Sequence, residues 1–202
     1  MTIVDAFNGF ARKVPTWAVY GLYLIPAPYY FYLALNGGLG PDPVKPLEHE
    51  YGKIALQLLI IGLCITPLRK AFGINLIKFR RSLGVLAFTY VTLHLLVWAV
   101  LDVQALSAVL TDIIKRPYIT VGMTGFLLLL PLALTSNNWS VRRLGSFWRK
   151  LHKLTYLAVI LGGLHYIWLV KGIQLEPLIY MAVVLMLLGY RAMSKRRLRA
   201  SA

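Results

Sequence analysis

Two histidines, His94 and His165, fall inside long apolar stretches of this 202-residue chain. An ionisable side chain in such a stretch is costly and marks a functional site. His94 lies 13 residues after Arg81, and His165 lies 15 residues after Lys150. At about 1.5 Å per helical residue, each imidazole stands about 20 Å from a basic segment. Two neutral imidazoles at equal depth on two helices can supply both axial nitrogens of a six-coordinate haem.

The alternatives for these two histidines involve no haem. Each imidazole could donate a hydrogen bond to a carbonyl across a helix interface, or His94 could line a proton path. The competing function is then a proton-coupled membrane transporter or scaffold that uses His94 and His165. Zinc has less support, because the sequence offers no third donor at that depth and an open zinc site usually has three protein ligands. Six small or apolar residues on or near the two histidine stripes favour close approach of a porphyrin to the backbone: Gly84, Ala87, Val91, Ala158, Leu161 and Gly162.

A second candidate site lies closer to the basic end of the same helices. His152 comes 13 residues before His165, which predicts side chains about 20 Å apart along an ideal helix and roughly 140° apart around it. The matching position on the other helix holds Arg80 and Arg81, which cannot ligate iron but can pair with a phosphate or a propionate. With Trp148, they are candidates for a haem with other axial ligation or for a flavin phosphate. The alternative is that the arginines only anchor the topology and that His152 lies at the membrane interface.

The rest of the chain offers little other chemistry. His49 lies between Glu48 and Glu50 in what is predicted to be a proline-rich outer loop, where a solvated charge cluster is the expected role, and it is left out of the site. The single cysteine, Cys64, excludes an intrachain disulfide and a cysteine metal site. We find no glycine-rich nucleotide fingerprint and no pair of nucleophile and base, so no catalytic residue is assigned.

The elements that must position these residues are predicted to be membrane helices. Hydrophobic residues make up 58% of the chain, charged residues only 14%, and the mean hydropathy is +0.67, which excludes an ordinary soluble domain. Internal prolines predict kinks in the first, second and fourth segments. The sequence predicts one all-α domain over residues 1–202, an integral membrane bundle of six transmembrane helices. These span roughly residues 15–36, 52–68, 82–101, 118–135, 151–170 and 176–193.

The basic residues predict how the bundle is oriented. The chain carries 22 Lys and Arg against 7 Asp and Glu, a net charge of +15. Segments on one side of the bundle hold 17 of the basic residues, and the other side holds 5 together with six of the seven acids. Because Lys and Arg are retained on the cytoplasmic side, both termini are predicted to be cytoplasmic. This topology, with attraction to anionic lipid, explains the net charge without nucleic acid as a partner.

Three segments resemble one known family. They are residues 78–98 (KFRRSLGVLAFTYVTLHLLVW), residues 116–136 (RPYITVGMTGFLLLLPLALTS) and residues 137–168 (NNWSVRRLGSFWRKLHKLTYLAVILGGLHYIW). Together they resemble MsrQ, also called YedZ, the family of haem-binding membrane subunits of bacterial methionine sulfoxide reductase systems. The most specific elements are the RRxLG motif, the WxxLHKLxY motif and the two histidine positions. The resemblance covers essentially the whole chain.

The resemblance implies a ferric-reductase-like transmembrane domain in the bacterial inner membrane. It implies one or two b-type haems, FMN, and a non-catalytic role in electron transfer to MsrP, a periplasmic molybdopterin reductase that repairs oxidised methionine. The donor implied is a quinol or a cytoplasmic flavin reductase. Carried over by motif, His94, His152 and His165 are candidate haem ligands, and Arg80 and Arg81 are candidate flavin contacts. Related oxidases carry two histidines on each of two helices, whereas the third span here carries only one, which argues against a second bis-histidine haem.

Overall fold

A computed structural model describes the backbone of residues 2–200 and the side chains of residues 2–194. Within that part of the chain the fold is all-α, with no β-strand. A 3-10 turn, Ile77–Phe79, precedes α5, and a π-helical segment, Val97–Val103, follows it. The α-helices are α1 (Ile3–Lys13), α2 (Thr16–Leu24), α3 (Pro26–Leu35), α4 (Val44–Phe72), α5 (Arg80–Leu96), α6 (Leu106–Lys115), α7 (Pro117–Leu134), α8 (Asn138–Leu144), α9 (Ser146–Leu151), α10 (Leu154–Leu169) and α11 (Leu175–Ala200).

The predicted all-α membrane bundle is confirmed. Five helical stretches in the described part of the chain are long and apolar enough to cross a membrane: Thr16–Leu35, Val44–Phe72, Ile77–Val103, Pro117–Leu134 and Leu175–Ser194. The remaining predicted span, residues 151–170, corresponds to α10. That helix has 16 residues, so it is about 24 Å long, shorter than a typical hydrocarbon core. Six crossings and two cytoplasmic termini stay predictions.

Two helix boundaries differ from the expected ones at α4. The second span was predicted to run from 52 to 68 and to end at Pro67, but α4 begins at Val44 and continues through Pro67 to Phe72. Its extra turns at the start contain charged residues, which are solvated at a helix end and therefore escape a search for apolar runs. Gly73 ends the helix with φ +72°, a left-handed conformation that glycine adopts without steric cost.

Two buried tyrosines attach the first span to the centre of the bundle. Tyr90 on α5 is fully buried and donates its hydroxyl to the Tyr23 carbonyl at 2.6 Å. Tyr51 on α4 donates to the Ala27 carbonyl at 2.7 Å. The rings of Tyr51 and Tyr90 meet edge to face, with centroids 5.9 Å apart. Each tyrosine thus buries an aromatic ring and satisfies its polar atom, which fixes the first span against α4 and α5.

Basic side chains join the helix ends at one end of the bundle. Arg191 of α11 donates to the Tyr156 hydroxyl at 3.0 Å and to the Leu63 carbonyl at 2.5 Å, so it bridges α11, α10 and α4. Lys70 of α4 donates to Ser194 of α11 at 2.8 Å. These contacts gather residues predicted to lie on the cytoplasmic side. The other basic residues of the C-terminal segment, Lys195, Arg196, Arg197 and Arg199, have side chains outside the described residues.

Two amphipathic helices, α1 and α6, were not expected. Polar residues interrupt their apolar positions, so neither helix contains a run long enough to count as a span. Asn8 of α1 donates to the Gly73 carbonyl at 3.0 Å and accepts from the Asn75 amide at 2.8 Å, which docks α1 against the end of α4. Their apolar side chains are exposed: Ile3, Phe7 and Phe10 on α1, and Leu106, Leu110 and Ile114 on α6.

Candidate functional site

The His94 ring on α5 is fixed by α4. Its Nδ1 lies 2.9 Å from the carbonyl oxygen of Glu48. Since a carbonyl can only accept, Nδ1 carries the proton and Nε2 of the neutral ring keeps a lone pair. Gly52 provides the space for the ring, because a Cβ added there would stand 3.1 Å from His94 Nδ1.

The His165 ring on α10 is fixed in the same way by α7. Its Nδ1 donates to the Tyr118 carbonyl oxygen at 2.6 Å, and a Cβ added at Gly122 would stand 2.7 Å from that nitrogen. In both cases the accepting carbonyl belongs to the residue four positions before the glycine. One helical turn therefore supplies both the hydrogen-bond acceptor and the room for the imidazole.

The structure brings the two rings together. The ring centroids of His94 and His165 are 6.0 Å apart, and the ring planes are inclined by 83°. Both rings line one cavity of about 540 Å³ between α4, α5, α7 and α10. Most of its wall is apolar, including Leu56, Phe126 and Leu129. The fold thus brings together the two histidines that the sequence pairs.

Half of the small or apolar residues expected near the histidines line this cavity. Val91, Ala158 and Gly162 are on its wall. Gly84 is exposed, with nothing within 4 Å of an added Cβ. Ala87 is fully buried in the apolar core, and its side chain is not on the cavity wall. Leu161 packs toward Gly125 of α7, so it contributes to the joint between α7 and α10.

The cavity and its donors fit a haem. A metal bound by one nitrogen of each ring at about 2 Å requires ring centres about 6 Å apart, which matches the observed separation of 6.0 Å. The volume of about 540 Å³ lies within the range of cofactor pockets, roughly 300–1,000 Å³. In the described part of the chain, no group of three or more His, Cys, Asp or Glu residues could hold a metal ion. Two imidazoles alone suit a group that brings its remaining ligands itself, as a porphyrin does.

The second candidate site, at the basic end of the bundle, is the inner site. Its candidate residues make separate local contacts. Trp148 on α9 stacks on His152, with ring centroids 3.8 Å apart, and donates its indole N–H to the Thr135 carbonyl at 2.9 Å. His152 Nδ1 lies 3.1 Å from the Trp148 carbonyl oxygen. Its Nε2 is buried without a hydrogen-bond partner among the described residues. His152 therefore has one fixed nitrogen and one nitrogen without a hydrogen bond. His94 and His165 share this arrangement, and Nε2 of His94 lies 3.9 Å from a side-chain oxygen of Glu48, which is beyond hydrogen-bond distance.

The expected 140° offset between His152 and His165 assumed that one continuous helix carries both residues. Helix α10 begins at Leu154, so His152 precedes it and ideal helical geometry does not relate the two side chains. Because the helix begins three residues after the predicted start at residue 151, the calculated offset no longer argues against a cofactor at His152.

The two inner arginines differ in their surroundings. Both are exposed, but Arg81 donates to the Asn138 side chain at 2.7 Å, whereas Arg80 makes no side-chain hydrogen bond among the described residues. Among the described hydrogen bonds, none joins either arginine to Trp148 or His152. Arg81 and Trp148 nevertheless both reach the connection between α7 and α8, at Asn138 and Thr135 respectively.

Comparison with known proteins identifies the family. The profile described as "Ferric reductase like transmembrane component" matches residues 51–163. The protein-methionine-sulfoxide reductase heme-binding subunit MsrQ of Agrobacterium fabrum is 53% identical over 176 residues, 87% of this chain and 82% of the relative. The MsrQ proteins of Brucella anthropi and Brucella ovis are each 49% identical, over 87% of this chain and 80% of theirs. The chain belongs to the MsrQ family. No solved structure matches it.

Family membership agrees with the fold, because both describe a multi-pass bacterial membrane protein. The site around His94 and His165 contains four residues that sequence reasoning missed. Glu48 and Tyr118 contribute backbone carbonyls, and Gly52 and Gly122 contribute space. Every residue has a backbone carbonyl, so residue type does not reveal which one accepts a hydrogen bond. A glycine in an apolar helix, in contrast, indicates that a neighbouring helix approaches closely. The ferric-reductase profile ends at residue 163, two residues before His165.

Proposed function

We propose that this chain is the electron-transfer subunit of a methionine sulfoxide reductase system and that it holds b-type haem between His94 and His165. The observation that carries the proposal is the pair of histidines that share one cavity, each with Nδ1 hydrogen-bonded to a carbonyl. The printed names of the relatives, as heme-binding subunits of such a system, support it.

The chain's own residues orient the imidazoles and keep water out. The Glu48 and Tyr118 carbonyls accept hydrogen bonds from the protonated Nδ1 atoms and so fix both rings. Each Nε2 then keeps a lone pair that can bind a metal, and the hydrogen bond at Nδ1 raises the basicity of Nε2. Apolar walls from Leu56, Phe126 and Leu129 exclude water from the cavity. Haem iron, when bound, supplies a one-electron carrier whose potential depends on burial and on the axial ligands.

The charge distribution supports a direction for the electrons. The histidine pair lies near the end of the bundle that holds Glu48 and Asp102, opposite the end where Arg191 and Lys70 gather. By the positive-inside rule the pair then lies near the periplasmic side. Electrons enter at the cytoplasmic side, from a quinol or a flavin reductase, and leave to a periplasmic molybdopterin reductase of the MsrP type.

Electron delivery to the partner tests this function. The purified chain is reduced under anaerobic conditions and mixed with the MsrP-type subunit encoded in the same organism. Addition of methionine sulfoxide should reoxidise the haem, with about two haem equivalents oxidised per sulfoxide because sulfoxide reduction takes two electrons. Haem that stays reduced with an active catalytic subunit would contradict the proposed partner. A chain that binds no haem would instead favour the transporter or scaffold function.

We extend the proposal to FMN at the inner end. Arg80 is exposed, and Arg81 keeps donors beyond the one that binds Asn138, so both guanidinium groups can contact a phosphate. His152, with Nε2 buried and free, offers a further contact to a cofactor next to Trp148.

Replacement of both inner arginines by Gln should lower flavin affinity tenfold or more. The change removes two charge-assisted contacts, each worth about 1.5–3 kcal/mol, while outer haem content stays the same. Fluorescence of released flavin and the haem spectrum measure the two contents. The matched control replaces Arg142 and Arg143, an adjacent exposed pair on α8, with Gln. Equal flavin content in both double variants would show that Arg80 and Arg81 only anchor the topology.

The His152→Ala variant separates the possible inner cofactors. Loss of flavin alone is the result that we expect from the extended proposal, because His152 would contact the flavin from the Trp148 side. Loss of one haem equivalent with flavin retained would indicate a second haem at His152. An unchanged content of both, measured by haem extraction and flavin release, would reject a cofactor contact at this residue.

A further inference from the structure

Basic residues are rare at the histidine end of the bundle, and those present are concentrated around the cavity. The sequence places five there: Lys45, Lys53, Lys115, Arg116 and Lys171. Three of the five, Lys45, Lys53 and Arg116, line the cavity that holds the two imidazoles. Lys and Arg are disfavoured on the translocated side of a membrane protein, so a cluster at one cavity requires a specific reason.

The three cations adjoin the residues that hold the imidazoles. Lys53 follows Gly52, where an added Cβ would stand 3.1 Å from His94 Nδ1. Arg116 comes two residues before Tyr118, whose carbonyl binds the His165 ring. Lys45 lies eight residues before Lys53, about two helical turns away and on the same side of α4. Their positive charges therefore border the end of the cavity where the imidazoles are.

The ion pairs of these cations leave positive charge available. Lys53 pairs with Glu50 at 2.5 Å, and Arg116 Nε pairs with Asp112 at 3.2 Å, but both pairs are partly exposed to solvent. Lys45 makes no ion pair among the described residues. Two acids, Glu48 and Asp102, also line the cavity. Glu50 and Asp112, the partners of Lys53 and Arg116, do not line the cavity, so three cations and two acids face it and Lys45 is without an ion pair in the part of the chain that the structure describes.

We propose that Lys45, Lys53 and Arg116 bind the carboxylates of an anionic tetrapyrrole whose iron lies between His94 and His165. The inference rests on the proposed function and adds the residues that recognise the acidic edge of the ligand. A porphyrin with two propionates needs cationic partners where it leaves the apolar part of the cavity. The cations select the acidic ligand and set its orientation.

A comparison of haem with its dimethyl ester tests this directly, because the ester keeps the iron and the ring but has no carboxylates. The full-length chain is prepared free of haem and titrated with each compound in detergent, with binding followed by the absorption spectrum. Wild type should bind haem about a hundredfold more tightly than the ester, about tenfold for each of two carboxylates. In the Lys45→Gln/Lys53→Gln variant this preference should fall to about tenfold or less, as Arg116 alone remains.

The matched control replaces Lys115 and Lys171, the two basic residues of this end that do not line the cavity, with Gln. It should keep the full preference for haem. The inference is overturned if wild type binds both compounds equally, or if the Lys45 and Lys53 variant keeps the wild-type preference. Loss of partner docking without loss of preference would also overturn it and assign the cations to the partner. Failure of wild type to bind either compound would contradict the haem proposal itself.

Discussion

The His94→Ala and His165→Ala variants will each lose the low-spin absorption spectrum of a bis-histidine haem. Each substitution removes one of the two axial nitrogens. His152 packs on Trp148, and His49, although it lines the cavity, lies on the exposed face of α4, so we expect neither to replace the lost ligand. The protein should still insert, since alanine at either position leaves the apolar stretches of α5 and α10 intact. The measurement is the reduced-minus-oxidised spectrum, together with haem per chain after extraction.

The control for this experiment is His49→Ala. His49 also lines the cavity, but on the exposed face of α4, and the account gives it no role as a ligand. Its variant should keep the spectrum of wild type. An unchanged spectrum and haem content in both the His94 and the His165 variants would contradict the assignment of these residues as ligands.

Gly122→Ala should lower haem content severely although it adds one methyl group. Its Cβ would stand 2.7 Å from His165 Nδ1, closer than real Cβ contacts allow, so the ring or the backbone of α7 must move. Movement of the ring breaks the hydrogen bond to the Tyr118 carbonyl and misplaces Nε2. We expect haem affinity to fall tenfold or more, from the loss of about 1–3 kcal/mol.

Other glycines provide a graded series for the same measurement. Gly52→Ala places a Cβ 3.1 Å from His94 Nδ1, a smaller clash, and should have an intermediate effect. Gly125→Ala on α7 meets its nearest protein neighbour at 3.7 Å but lines the cavity, so its effect should be small, whereas Gly62→Ala on α4 meets nothing within 4 Å, lies off the cavity wall and should keep full haem content. Equal losses across all four variants would indicate general destabilisation of the helices and not displacement of the imidazoles.

The pairing of His94 with His165 could be predicted from the sequence because depth in a membrane is one-dimensional. Each histidine has a basic segment about the same number of residues before it, and a helix converts that number into a distance. The two spans were also predicted correctly as helices. The direction in which each imidazole points could not be derived, since the rotation of α5 and α10 about their axes depends on packing against α4 and α7.

The neighbours that hold the rings were beyond sequence reasoning for two physical reasons. The acceptors at Glu48 and Tyr118 are backbone atoms, which every residue possesses. Glu48 also lies in the polar first turns of α4. The composition of this stretch predicts a loop, because a helix end at the membrane interface needs no apolar side chains. His152 was placed on α10 because a boundary within a continuous helical pattern has no local signal.

The most direct test of the account is the redox difference spectrum of the purified wild-type chain with quantitative haem extraction. The account predicts a coloured protein with the sharp absorption bands of low-spin, six-coordinate b-type haem and at least one haem per chain. It also predicts that this spectrum requires both His94 and His165. A correctly inserted, folded chain that is colourless after expression with ample haem would contradict the central claim.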